Sequence, residues 1–152
     1  MAWAASNVFR QMMADLLTAA QVYDLDTDAY KAALYNNTPT PSKDVTAANT
    51  VYNVDQWVTA NEVFQAGQWA QGGVALASLS VTTPSSGTVQ WNAANTASGG
   101  AATLANVYGC LVYDTTRSSK GICFNYFGGT TGVASGTYTV VWPGTGIAQW
   151  LT

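Results

Sequence analysis

From Gly67 onward the sequence runs as short stretches of β-branched and aromatic residues separated by clusters of Gly, Ser, Thr and Pro, and no helical apolar period recurs in it. Turn signals at such short intervals leave no room for the helical crossovers that a parallel sheet requires. The pattern predicts strands near residues 68–82, 88–92, 104–113, 121–127, 137–142 and 147–151. Upstream, residues 29–35 alternate Tyr30, Ala32 and Leu34 with Lys31, Ala33 and Tyr35, the period of a strand with two different faces. The expectation is a mainly β fold, an antiparallel β-sandwich or barrel of Ig-like or jelly-roll-like type.

One segment breaks the strand period. Val8, Phe9, Met12, Met13, Leu16 and Leu17 recur at the spacing of one helical face, with Ser6 or Asn7 placed to cap the first turn. This predicts a single N-terminal α-helix over residues 7–19. Its only charges are Arg10 and Asp15, too few cations for a membrane-surface helix, so Phe9, Met13 and Leu16 are expected to pack on the sheet. With 152 residues the chain reads as one domain: an arm and helix in 1–20, a long loop or arm in 36–65, and the main β region in 67–152. Residues 36–50 are polar, with Pro39 and Pro41. Residues 51–65, with Val51, Val54, Trp57, Val58 and Phe64, fit either a short helix or a turn.

Charge narrows the function. Charged residues make up 9 % of the chain, five Lys and Arg against eight Asp and Glu, and none falls from Val63 to Tyr113 or from Gly121 to Thr152. Partners of those stretches must be met by shape, hydrogen bonds and apolar contact rather than by long-range steering. A net charge of −3 without basic clusters makes nucleic acid and acidic membranes poor partners. No basic leader precedes an apolar run, and no run of about 18 apolar residues occurs, so synthesis and folding in a cytoplasm are expected.

The absence of histidine removes the commonest general base, nucleophile activator and metal ligand together. Asp24-Leu25-Asp26-Thr27-Asp28 opens like a calcium loop, but Ala29 and Tyr35 stand where the pattern needs Gly and Glu, so it reads as a polar turn leading into a strand. Gly144-Thr145-Gly146 reads as a turn, and the scattered carboxylates offer no obvious catalytic pair. No enzyme activity and no cofactor are expected. A hairpin centred on residues 114–119 would bring Cys110 and Cys123 near each other; a cross-strand disulfide is conceivable, although two lone cysteines in a reducing compartment are more often buried apolar residues. Six Trp and eight Tyr in an almost uncharged chain suit either cores, protein interfaces or sugar stacking, and six Trp exceed what one small core holds comfortably.

Several stretches are similar to a known set of proteins. Leu25-Asp26-Thr27-Asp28 leading to Lys31-Ala32-Ala33-Leu34-Tyr35, the pair Gly72-Gly73, Gly109-Cys110-Leu111-Val112-Tyr113-Asp114 with Ser119-Lys120-Gly121-Ile122, Phe127-Gly128-Gly129, and residues 135–142 resemble small tailed-bacteriophage virion proteins of the capsid decoration, or cement, type. The resemblance runs from the helix to Trp150, though its motifs are short and carry no chemistry. It implies a β-rich, non-catalytic protein on the outer surface of an assembled head, bound to the major capsid protein, as a homo-oligomer with a trimer at three-fold positions favoured. The segment 36–65 is longer than that resemblance leads one to expect. Trp3, Tyr52 and Trp57 are the candidate partner contacts, because aromatic residues dominate interface energetics. The alternatives are another virion part, such as a tail or neck component, and a carbohydrate-binding β-sandwich module.

Overall fold

The computed structural model describes residues 3–151. Its elements in chain order are β1 (Asn7–Val8), α1 (Arg10–Leu17), β2 (Tyr30–Tyr35), β3 (Val74–Ala75), β4 (Ser80–Thr82), β5 (Thr88–Asn92), β6 (Thr96–Ala97), β7 (Ala102–Asp114), β8 (Lys120–Gly136), β9 (Thr139–Val140) and β10 (Ala148–Leu151). Strands β1-β8-β7-β2-β3 form the main sheet, β10-β5-β4 a second, and β6-β9 a small third; every pairing is antiparallel. The architecture is an open sandwich, and the sheets described do not close into a barrel.

The two faces of β2 explain the arrangement. Tyr30, Ala32 and Leu34 point into one apolar cluster with Trp69, Trp91, Cys110 and Val112, while Ala33 and Tyr35 point into another with Trp3, Phe9, Trp57, Leu111 and Phe124. A strand that alternates two apolar sets must be covered on both sides, and here it is. The first cluster is closed by the second and third sheets, which contribute Trp91, Val140 and Ala148, and by Ile147 just before β10. The other is closed by the N-terminal segment and by the segment between β2 and β3.

That intervening segment is therefore a cover and not a free arm. It winds through three short 3-10 turns, Ala47–Thr50, Asp55–Trp57 and Thr59–Asn61, and drives Trp57 and Thr50 into the interior. Backbone bonds fix it at several points: Tyr52 N to Ser119 O (2.9 Å), Asn36 N to Asn61 O (3.0 Å) and Val63 N to Leu34 O (2.8 Å).

The helix is shorter than its apolar spacing predicts. The main sheet captures its first turn: Asn7 and Val8 pair with Phe124 and Cys123, and Phe9, still extended, donates its N–H to Ile122 O. Phe9 is fully buried and Met12 takes the inward helical position, with Met13 partly buried beside it; Leu16 is exposed. Neither Ser6 nor Asn7 caps the helix, and its N-cap position, Phe9, makes no side-chain capping bond. The expected strand at 68–82 begins only at β3, because Gly72 and Gly73 turn the chain at positive φ and a Cβ at Gly73 would strike the Ala32 carbonyl; the remainder divides into β3 and β4 on either side of Ser78, also at positive φ. Strand β8 continues past Phe127 to Gly136, with repeated register shifts against β7, and the expected strand at 137–142 shrinks to β9. One of those shifts, between Val112 and Tyr113, makes Ile122 the extra residue of a bulge, so Ile122 and Cys123 face the same cluster.

Candidate functional site

The structure places Trp3 and Trp57 at 1 % and 0 % exposure, so neither can anchor a partner. Trp57 sits within ring-stacking distance of Trp3 (5.9 Å), Phe9 (6.2 Å), Tyr35 (5.1 Å) and Phe124 (6.2 Å), and the Tyr35 hydroxyl donates to its carbonyl at 2.6 Å. Tyr52 is half-buried and fastened from within. Its ring stacks on Tyr113 (4.8 Å, 8° between planes), and its hydroxyl donates to Glu62 Oε2 at 2.8 Å. Glu62 Oε1 accepts the Gly72 N–H (2.7 Å), and Tyr113 donates to the Gly72 carbonyl (2.6 Å), so these groups pin the glycine turn. Burial raises the Glu62 carboxyl above its ordinary value against those hydrogen bonds and the Lys31 charge. Sequence alone does not separate Trp3 and Trp57 from interface residues because an interface and a core draw on the same aromatic side chains. With Trp69, Trp91 and Trp142 also buried, five of the six tryptophans divide between two cores, while Trp150 stays only partly buried.

The surface is divided by charge. Arg10 pairs with Asp44 (2.8 Å), Lys43 with Asp44 (3.3 Å), Arg117 with Asp28 (3.2 Å) and Lys120 with Asp15 (3.1 Å). These residues come from α1, the turn before β2, the covering segment, the β7–β8 hairpin loop and the first residue of β8. The second and third sheets and the outer halves of β7 and β8 carry no charge. On that uncharged part Val141, Leu151 and Val81 are exposed, and Phe64 lies at its margin. An open groove runs there between β8 and the chain leading from β9 to β10. Its two cavities, of about 400 and 320 Å³, share Ser6, Asn125 and Pro143, and Phe127, Val141 and Trp150 contribute to their walls. Alternation within the expected strand at 137–142 already pointed Val141 away from Val140; its meaning was hidden because the sequence does not tell which face a neighbour covers.

Carboxylates and thiols are engaged locally. Asp24 Oδ1 accepts the N–H groups of Asp26 and Thr27 at 3.1 Å each, the geometry of a polar turn. No three acidic or sulfur ligands among the described residues come together to hold a metal ion. Cys123 stands opposite Val112 and Cys110 opposite Asn125, both as free buried thiols; burial pushes Cys123 up to about 12 and Cys110 higher still. No helix among the described residues is long and apolar enough to cross a membrane.

The comparisons add no relative: no family model, no curated protein and no solved structure matches the chain.

Proposed function

We propose that this chain is a non-catalytic structural protein of a tailed-phage virion that decorates the outside of the assembled head and stabilises it. The observation that carries the reading is the division of the surface: exposed apolar side chains and an open groove lie on a region without a single charge, while most of the cations are engaged by carboxylates elsewhere. Such a face suits a repeating protein lattice met by shape and hydrogen bonds. The sequence resemblance supplies the identity of the lattice, and the major capsid protein is the partner. Decoration works by linkage: a protein that binds the assembled shell and not its free subunits adds its binding free energy to the shell, and repeated weak sites suffice. A homo-oligomer, with a trimer favoured, multiplies the effect.

Cosedimentation of the purified chain with empty heads across a range of salt concentrations tests this. Binding that changes little with salt is the expected result, because this face offers no ion pairs to screen. No binding to the heads of its own phage overturns the decoration reading, and binding abolished by moderate salt overturns the uncharged face as its means.

A further inference from the structure

The turn before β2 and the loop between β7 and β8 meet around two carboxyl groups that share one cation. Asp114, the last residue of β7, is completely buried. Its Oδ1 accepts the Thr116 N–H at 2.7 Å and the Thr116 hydroxyl at 2.6 Å, but its buried Oδ2 meets no donor. The Tyr30–Asp114 register and the bonds from Thr115 to Ala29 O bring Asp28 beside it, and the Asp28 carboxylate accepts from Arg117 Nε at 3.2 Å and from the Asp24 N–H at 3.0 Å. Arg117 supplies one positive charge for two carboxyls. The next cation along the hairpin, Lys120, is committed to Asp15 at 3.1 Å, where Gln11 and the Tyr23 hydroxyl also donate.

Two ionised carboxylates beside a single guanidinium, one of them wholly out of water, leave an uncompensated buried charge, which costs several kcal/mol in protein interiors. A carboxylic acid removes that cost and supplies the missing partner at once, because a protonated Oδ2 is a donor and the facing carboxylate an acceptor. We propose that Asp114 and Asp28 hold one proton between them and act as a pH-sensitive latch that fastens the turn before β2 to the β7–β8 hairpin loop. With the proton in place the pair carries one negative charge, matched by Arg117. When it leaves, the pair carries two, and repulsion acts across a junction otherwise held by Thr115, whose N–H and hydroxyl both donate to Ala29 O at 2.8 and 2.7 Å.

The surrounding groups do not titrate in its place. Burial raises Asp114 above the usual carboxylate range, and the Asp28 charge adds to this, while Asp28 itself is lowered, its burial being outweighed by the Asp24 N–H and Arg117. Hydrogen bonds from Thr27 and Asp26 hold Asp24 low, and Asp15 is held low against its burial by Gln11, Lys120 and Tyr23. Tyr30, which pairs with Asp114 across the β2–β7 register, and Tyr23 are both raised well above the normal phenol range, first by burial. Because Asp114 is raised in the folded state, stability falls as pH rises from the unfolded carboxylate value to the folded one, and is level beyond it.

Carboxyl-carbon NMR of the full chain across pH, on the native sequence and on D28N, gives the direct reading. Asp114 is expected to titrate above the ordinary carboxylate range, and its midpoint to drop in D28N, where Arg117 is free to face it. An ordinary Asp114 midpoint in the native sequence overturns the proposal, and decides it even if D28N does not fold. Thermal melting supplies a second readout: D114N, neutral at every pH, should show a shallower decline than the native chain on the alkaline side of the unfolded carboxylate range, keeping only the part that comes from the buried Glu62 carboxyl, which is also raised. A gap between the two that stays constant with pH marks Asp114 as merely structural and overturns the latch.

Discussion

Trp57 offers the sharpest test of the claim that residues 36–65 cover a core. Removing its fully buried side chain in Trp57→Ala empties the centre of an aromatic cage made by Trp3, Phe9, Tyr35 and Phe124. Large-to-small changes of this kind cost roughly 3–5 kcal/mol. At about 2–4 °C per kcal/mol for a domain of this size, the melting temperature should fall by roughly 6–20 °C. Trp57→Phe behaves differently. Trp3, Trp69, Trp91 and Trp142 each donate an indole N–H, to Asn36 O, Ala32 O, Leu25 O and Thr96 Oγ1, whereas Trp57 Nε1 is buried with no acceptor. Replacing it by Phe loses packing but also deletes an unsatisfied donor worth about 1–3 kcal/mol, so the two effects largely cancel. Trp3→Phe instead breaks the 2.8 Å bond to Asn36 O and should be the costlier of the two. Urea unfolding followed by far-ultraviolet circular dichroism measures all three without relying on the fluorophores removed. A Trp57→Ala protein within about 0.5 kcal/mol of the native chain, or a Trp57→Phe change costlier than Trp3→Phe, would refute the reasoning.

Four further outcomes are expected. Gly73→Ala, which forces a Cβ into the Ala32 carbonyl at φ +84°, should destabilise by roughly 1–3 kcal/mol in the same urea assay. Lys120→Met strips the cation from Asp15, which is 4 % exposed; melting should drop at neutral pH, and the deficit should shrink as acid protonates Asp15, because a carboxyl lowered in the folded state stabilises only above its unfolded value. Tyr113 and Cys123 are both pushed up to about 12 by burial, and the other buried tyrosines shift the same way; their unfolded forms ionise first, so a melting-temperature profile should fall steadily above pH 9 to 10. Cys110 and Cys123 should react with an aromatic disulfide reagent only at the rate of global unfolding, measured by absorbance in and out of urea.

The sequence carried the local choices and lost the long-range ones. Residues 30–35 and 88–92 are strands as their alternation predicts, and the hairpin turns within 114–120. Alternation even held the two-core arrangement in outline, since Ala33 and Tyr35 are as apolar as Ala32 and Leu34. What it could not convey is that a distant loop would supply the second cover, because Trp57 meets Phe124 only through tertiary packing. The helix start failed for a related reason: Asn7 and Val8 fit a helical face, but the edge of β8 offers backbone partners that a first helical turn lacks. Trp3 and Trp57 turn out to be core rather than contact residues because aromatic content locates apolar demand without saying whether the chain itself meets it. The charge-free surface, by contrast, was legible as a simple run of uncharged letters.

The sheet covered on both sides also sets a timetable. Trp3 and Phe9 are made well before the rings they pack against, Trp57 in the covering segment and Phe124 in β8, and β1 has no strand to pair with until Cys123 and Phe124 exist. Strand β2 likewise waits for β7. These segments therefore leave the ribosome with their apolar rings only partly sheltered, and stay so until β7 and β8 have been made. Slow, non-local closure of this kind exposes a nascent chain to association with its neighbours. Yield during production should accordingly depend on translation speed and temperature more than the stability of the finished fold implies.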